Sequence, residues 1–246
     1  MTRSQPKAEG PGLGRTVILV HGSMDRATSF ARVTSKLPDW TVVAYDRRGY
    51  AGSMGTGPPE TFEQQVDDLL EVLDGEPAVT FGHSFGGDVV LAVAAQHPGL
   101  IPAALVWEPP QPWLAWWPSD TAAAGAGADL APDERAEWFM RRMVGDRIWD
   151  RLPSSTQAQR KAEGQTLEAE MSSLRGGAVF DAAAVRVPVL VGRGGRSKTH
   201  QRRGARELAA ALPRGQLVEI PEAEHGAHLT HPNELAALLL QAADLA

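Results

Sequence analysis

The stretch "TFGHSFGGDVVLAVAA", residues 80–95, holds G-x-S-x-G as Gly82-His83-Ser84-Phe85-Gly86, after one apolar run and before another. That order reads as strand, sharp turn, helix, with the Ser84 hydroxyl at the tip of the turn. Such a turn forces the serine into backbone dihedrals that ordinary residues avoid. Small residues at Gly82 and Gly86 let neighbouring backbone pass close by. A hydroxyl at a helix start also sits beside free N–H groups, which suits a nucleophile that develops negative charge. The plainer alternative is a glycine-rich turn capped by a serine, and the rest of the chain has to decide between them.

Outward from this stretch, short β-branched runs alternate with helical patterns. Strands are predicted over 16–20, 40–45, 77–83, 103–107, 187–191 and 216–220, and helices over 27–37, 61–73, 85–96, 200–212 and 233–243. The alternation predicts an α/β fold, a mostly parallel doubly wound sheet with helices on both faces. Loops that follow the strands then gather on one edge, where ligands bind. From Pro109 to about Ala178 no strand is convincing. Aromatics come first, then an Ala/Gly linker at 121–131, then helical patterns over 132–152 and 155–175. The predicted organisation is a flexible tail over 1–14, a core over 15–108 and 179–246, and a helical lid over 109–178. Trp113, Trp116, Trp117, Phe139 and Trp149 are candidates for the underside of that lid; the alternative is that they only fix the insertion to the core.

The chain has 246 residues, 43% hydrophobic and 22% charged, with a net charge of −6 from 30 acidic and 24 basic residues. That balance gives no overall attraction for nucleic acid or an anionic membrane. There is no cysteine, so thiolate and disulfide chemistry are excluded. No apolar run reaches the ~18 residues a membrane span needs, the first residues carry no secretory pattern, and the expected location is cytoplasmic. The histidines show no metal-ligand spacing with nearby carboxylates, so neither a metal nor a cofactor is expected.

Four segments carry a likeness. "LVHGSM" (19–24), "YDRRGYAGS" (45–53), "GHSFGG" (82–87) and "IPEAEHGAHLTHPNEL" (220–235) together resemble the motif loops of the α/β-hydrolase fold superfamily, in particular its esterase-like serine hydrolases. The insertion falls where that family carries its lid. The family's N-terminal β-hairpin has no counterpart before Arg15, which implies a sheet one or two strands short. The resemblance implies Ser84 as nucleophile and His225 as base. It implies oxyanion donors at the backbone N–H of Phe85 and of Ser23 or Met24. Met24 is also a candidate substrate contact. His21 is expected to brace its loop, His83 to pack, His97 to be surface and His231 to cap a helix. His228 ranks below His225, and His200 has no assigned role. Asp46 and Arg47 are expected to organise a turn.

The acid that should hold the imidazole is not where most relatives have it. The loop after 187–191 reads "GRGGRSKTH", with Gly194 and Gly195 in the expected place. Glu207 lies too far along the next helix, Asp181 belongs to the opposite edge, and Glu222 and Glu224 are too close to His225 in sequence. Glu108 remains, at the end of the strand after the nucleophile helix, as in certain haloalkane dehalogenases. The order Ser84, Glu108, His225 fits the family. The competing role for Glu108 is a cap or an arginine partner.

Arg193, Arg196, Lys198, Arg202 and Arg203 crowd one loop; a solvated surface is favoured over attraction of an anionic substrate. The leading reading is a serine hydrolase acting on an ester-like carbonyl in a small molecule with an apolar or aromatic part. Carbon–carbon bond hydrolysis or cofactor-free perhydrolysis on the same residues, and a non-catalytic ligand receptor, are the alternatives.

Overall fold

A computed structural model describes residues 15–246, so the predicted tail over 1–14 lies outside the described residues. Six strands form one sheet: β1 Thr16–Val20, β2 Thr41–Ala44, β3 Val79–His83, β4 Ala104–Trp107, β5 Val189–Gly194 and β6 Gly215–Ile220. The order is β2-β1-β3-β4-β5-β6, and every neighbouring pair is parallel. The helices are α1 Ala31–Thr34, α2 Glu63–Leu73, α3 Phe85–Gln96, α4 Pro132–Val144, α5 Asp146–Trp149, α6 Ser154–Ala162, α7 Gly164–Arg175, α8 Thr199–Ala211, α9 Ala227–Thr230 and α10 Pro232–Ala243.

Alternation along the strands explains why both faces are covered. Ile18, Val20, Val106 and Val191 point into a core shared with Leu69 of α2, Val89 of α3 and Leu208 of α8. Their neighbours Val17, Leu19, Leu105 and Leu190 point the other way, onto Val33 of α1 and Leu235 and Leu239 of α10. A sheet buried on both sides needs near-continuous apolar strands, which is how β1, β3 and β4 read.

The sequence expectations differ from the structure mainly at ends. The 27–37 pattern is a 3-10 turn, Ala27–Phe30, followed by the single turn α1. Each helical pattern of the insertion splits in two, the second half starting at or just after Gly145 or Gly164, poor helix formers for a helix interior. β5 runs to Gly194, so Arg193 is strand rather than loop. Ala136, Leu167, Met171 and Leu174 of the insertion join the same core as the sheet residues above, so 109–178 has no core of its own.

The strand order reverses at β1, with β2 on one side and β3 on the other. At such a switch point the loops after two adjacent strands diverge and leave a crevice at their C-terminal ends. The loops holding Ser23 and Ser84 are these two.

Candidate active site

Ser84 occupies the turn between β3 and α3 with φ 52° and ψ −127°, a conformation side-chain-bearing residues rarely adopt. The turn is tight because α3 runs against β1. A Cβ on Gly86 would lie 2.3 Å from the Val20 carbonyl oxygen. Phe85 is the first residue of α3, so its N–H has no intrahelical acceptor and stays available.

Glu108 follows β4 directly, is buried, and also has a positive φ of 48°. Its Oε2 accepts the Nδ1–H of His225 at 2.8 Å, and its Oε1 accepts the Gly194 N–H at 2.8 Å. Gly194 and Gly195 cannot carry the acid themselves. A Cβ at Gly194 would lie 2.2 Å from the Ala223 carbonyl oxygen, and one at Gly195 2.3 Å from that of Pro221. The loop after β5 therefore supplies an N–H, and the carboxylate comes from the neighbouring strand. The His225 carbonyl accepts from His83 Nε2 at 3.0 Å, and the two rings lie 4.7 Å apart.

Ser84, His225, Glu108 and Ser23 line one cavity of about 310 Å³. No hydrogen bond joins Ser84 to His225 here; bonds of this kind commonly tighten only when substrate closes a site. Trp117 and Phe139 line this cavity, joined by Trp138, Met143 and Met171 from α4 and α7.

Other aromatics expected here lie elsewhere. Trp113 packs edge-on against Phe180. Trp116 donates its Nε1–H to Glu207 at 2.6 Å and is covered by the Arg203 guanidinium. Trp149 is buried, with its Nε1–H on Glu137. A covered indole N–H usually finds an acceptor, and Glu207 and Glu137 fill that place for Trp116 and Trp149. Met24 is also absent from the cavity wall: its side chain sits in the core and its carbonyl accepts from Arg160.

Beneath the Ser23 loop lies a buried polar network. Glu170 of α7 accepts from Ser23 Oγ (2.5 Å), Tyr50 Oη (2.8 Å), Arg47 Nη1 (2.5 Å) and Gln65 Nε2 (3.2 Å). His21 accepts the Arg47 N–H on Nε2 and donates from Nδ1 to the Gly22 carbonyl. Burial, and then the Arg47 charge, hold its pKa down at about 3, so the ring is neutral. Asp46 caps the Ala27 and Gly52 N–H groups. Arg47 was legible as a turn organiser, but its partner 123 residues away was not. Asp88 of α3 is fully buried with both oxygens unpartnered, and burial pushes its carboxyl well above the usual range.

One histidine grouping escaped the sequence because its members come from three separate segments: the loop after β1, the end of β3 and α9. Asp25, His83 and His228 each offer a ligand atom, all within 4.8 Å of one another. His228 Nε2 lies 3.2 Å from Asp25 Oδ2. Burial works against ionisation of Asp25, yet the hydrogen bond and charge of His228 hold its carboxyl below the usual range. Burial and the neighbouring histidines push His83 well below its ordinary value. Two imidazoles and a carboxylate are a plausible donor set for a transition ion. With bonds near 2.0–2.1 Å, though, tetrahedral ligands sit roughly 3.3 Å apart, so this group would have to contract. His97 is exposed after α3, His231 occupies the N-cap position of α10 without a side-chain capping bond, and His200 lines the Ser84 cavity, a position the sequence did not indicate. No helix among the described residues is long and apolar enough to cross a membrane.

Comparison with known proteins adds the following. A family model described as "Alpha/beta hydrolase family" matches residues 17–238. A Bacillus subtilis (strain 168) protein named "Uncharacterized hydrolase YraK" is 36% identical over 104 residues, 40% of this chain and 38% of its own. Lipase LipV of Mycobacterium tuberculosis is 31% identical over 103 residues, 41% of this chain and 39% of its own. The matched part thus spans about two fifths of the length of these relatives. The crystal structure of an alpha/beta hydrolase from Sphaerobacter thermophilus DSM 20745 aligns with a TM-score of 0.69 and 28% identity, covering 94% of this chain and 93% of that one.

Proposed function

This chain belongs to the alpha/beta hydrolase family, and on that premise we propose that it is a serine hydrolase cleaving an ester-like bond through an acyl-enzyme. The observation that carries the reading is the bridge made by Glu108, one oxygen on His225 Nδ1 and the other on the Gly194 N–H. A carboxylate in that position fixes the imidazole as the Nδ1–H tautomer, which turns the Nε2 lone pair toward the nucleophile.

In this mechanism Ser84 Oγ attacks the carbonyl carbon while His225 Nε2 takes the hydroxyl proton. The carbonyl π electrons move to oxygen, where the N–H groups of Phe85 and Ser23 stabilise the charge. Collapse of the intermediate expels the alcohol, which leaves with the proton from His225. Water then repeats the sequence on the acyl-Ser84 and releases the acid. Glu108 keeps its charge throughout and stabilises the imidazolium. Residues 109–178 act as the lid, with Trp117 and Phe139 against the apolar part of the substrate. The names of YraK and LipV agree with hydrolysis as the reaction class.

The test is labelling with a fluorophosphonate probe together with turnover of a panel of p-nitrophenyl esters. Labelling and turnover that both vanish in Ser84→Ala support the reading. A native protein that neither takes the probe nor hydrolyses any ester overturns it.

A further inference from the structure

The basic loop divides into cations that are spoken for and one that is not. Arg193 pairs with Glu219 (2.8 Å), Arg196 with Glu222, and Arg203 with Glu207 (2.8 Å). Arg202 donates to the Gly195 carbonyl at 3.3 Å. Arg193, Arg196 and Arg203 behave as the solvated, internally paired surface the sequence favours, while Arg202 is held by backbone alone. The side chain of Lys198 has no hydrogen-bond or ion-pair partner among the described residues. It is also the only one of the five that lines the Ser84 cavity.

A second cation reaches the same cavity from the insertion. Arg142 of α4 lies over the Trp138 ring at 4.9 Å and donates to the Asp120 carbonyl at 3.2 Å, with no carboxylate at ion-pair distance among the described residues. Against these two charges the cavity wall offers two carboxylates. Glu108 has both oxygens engaged by His225 and Gly194, which leaves Asp120 alone. Beside Lys198, His200 and Gln201 add further polar groups to the same wall. The formal charges of this wall cancel, but Glu108 is turned onto His225 and Gly194, so the unused Lys198 and Arg142 donors face a single free carboxylate and suit an anionic ligand.

Resting on the serine-hydrolase reading, we infer that the substrate is a small ester carrying an anionic group, a carboxylate or a phosphate, away from the scissile carbonyl. Lys198 and Arg142 hold that group at the mouth, while Trp117 and Phe139 cover the apolar segment between it and Ser84. Lys198 and Arg142 are thus specificity-determining residues, and neither touches the reacting atoms.

The experiment compares kcat/KM for p-nitrophenyl esters of equal length whose acyl chains end in carboxylate, phosphate or methyl. Chain length is varied from three to eight carbons, and the two anionic arms distinguish the two ligand chemistries. The expected anionic-over-neutral preference is roughly tenfold at low salt, shrinking as sodium chloride is added. Lys198→Ala and Arg142→Ala each lower that preference about three- to tenfold, Lys198→Glu inverts it, and Arg196→Ala, outside the cavity, leaves it as in the native protein. Calorimetry on Ser84→Ala with the same esters reads binding without turnover and should show the same dependence on Lys198. Probe labelling and neutral-ester turnover without an anionic preference would overturn this inference and leave the serine-hydrolase reading standing. Failure of labelling and turnover would remove the serine-hydrolase reading, and the calorimetric arm alone then decides whether the cavity selects anions.

Discussion

Replacing Glu108 by Gln tests the centre of the proposed mechanism because the change is nearly isosteric. Glu108 serves two N–H donors, His225 Nδ1 and Gly194, each at 2.8 Å. An amide offers one accepting oxygen and one donating NH2 group, so it serves only one of them. The Gly194 N–H is fixed in the backbone, whereas the imidazole can exchange tautomers. The amide oxygen therefore stays with Gly194 and its NH2 faces His225, which then carries its proton on Nε2. That nitrogen can no longer accept the Ser84 proton. The expected loss in kcat is on the order of 10³–10⁴, or roughly 4–5.5 kcal/mol of transition-state stabilisation. KM should change little, since both oxygens serve the protein rather than the substrate. Glu108→Asp, shorter by about 1.5 Å, cannot keep both contacts and should fall in between. Glu108→Ala should match the Gln variant in kcat and lose a further ~1–3 kcal/mol of stability, because the buried Gly194 N–H is left without an acceptor. Steady-state ester hydrolysis and urea unfolding measure both quantities. A Gln variant within tenfold of the native kcat would remove Glu108 from the mechanism.

The other expectations concern stability. Asp88 binds its proton more tightly folded than unfolded, so stability should fall by about 1.4 kcal/mol per pH unit above the unfolded carboxyl pKa of ~3.9, until the raised folded pKa is reached. Asp88→Asn should remove that slope, gaining over the native protein in urea melts at pH 8 but not at pH 4; equal differences at both would refute it. Ser84→Gly should abolish turnover yet raise stability by about 1–3 kcal/mol, by releasing the positive φ; a lower unfolding midpoint would show that no strain is held there. Glu170→Leu strands the fully buried Arg47 guanidinium and should cost about 3–5 kcal/mol, with only part of it recovered in Arg47→Met/Glu170→Leu, because the buried Tyr50 and Gln65 donors still lose their acceptor. A loss under 1 kcal/mol in the single variant would mean that the network is not stabilising.

What was legible in the chain was local. The turn at Ser84 was visible because strand, glycines and helix are contiguous, and the β-branched runs placed all six strands to within a few residues. Glu108 could be singled out as a partner for His225 by setting the other acids aside, on position along the chain or sheet edge, and by the resemblance, and the two side chains do meet at 2.8 Å. Why no side chain fits at Gly194 or Gly195 was not visible. It depends on the carbonyls of Pro221 and Ala223 filling the space where a side chain on Gly194 or Gly195 would go, some thirty residues further on. Side-chain direction was equally hidden. Trp116 and Trp117 are adjacent and chemically identical, yet Glu207 draws Trp116 away while Trp117 lines the cavity. In the same way nothing along the chain records that Lys198, unlike its arginine neighbours, faces the cavity. The meeting of Asp25, His83 and His228 needs a loop, a strand end and a short helix to converge, and no periodicity records that.

Strain in the backbone points to the same place as the chemistry. Among the described residues five non-glycine positions have positive φ: Met24, Ala51, Asp74, Ser84 and Glu108. Three of them follow β1, β3 and β4 at the edge where the crevice opens. A strand that ends in a relaxed turn carries its next side chain along the sheet direction. Forcing φ positive turns it sharply instead, and that turn is what exposes the Ser84 hydroxyl. At Glu108 it goes with a carboxylate shared between His225 and the adjacent strand. Such conformations persist only where the surroundings over-determine them. Here the N–H groups of Ser84 and Glu108 are held by the Trp107 and Gly192 carbonyls of the next strand, at 2.8 and 3.2 Å. The parallel ladder therefore does more than support the site: each strand fixes the strained residue at the end of its neighbour. It follows that loosening β4 or β5, through a cavity beneath Trp107 for example, should misalign Glu108 and lower kcat before it unfolds the protein.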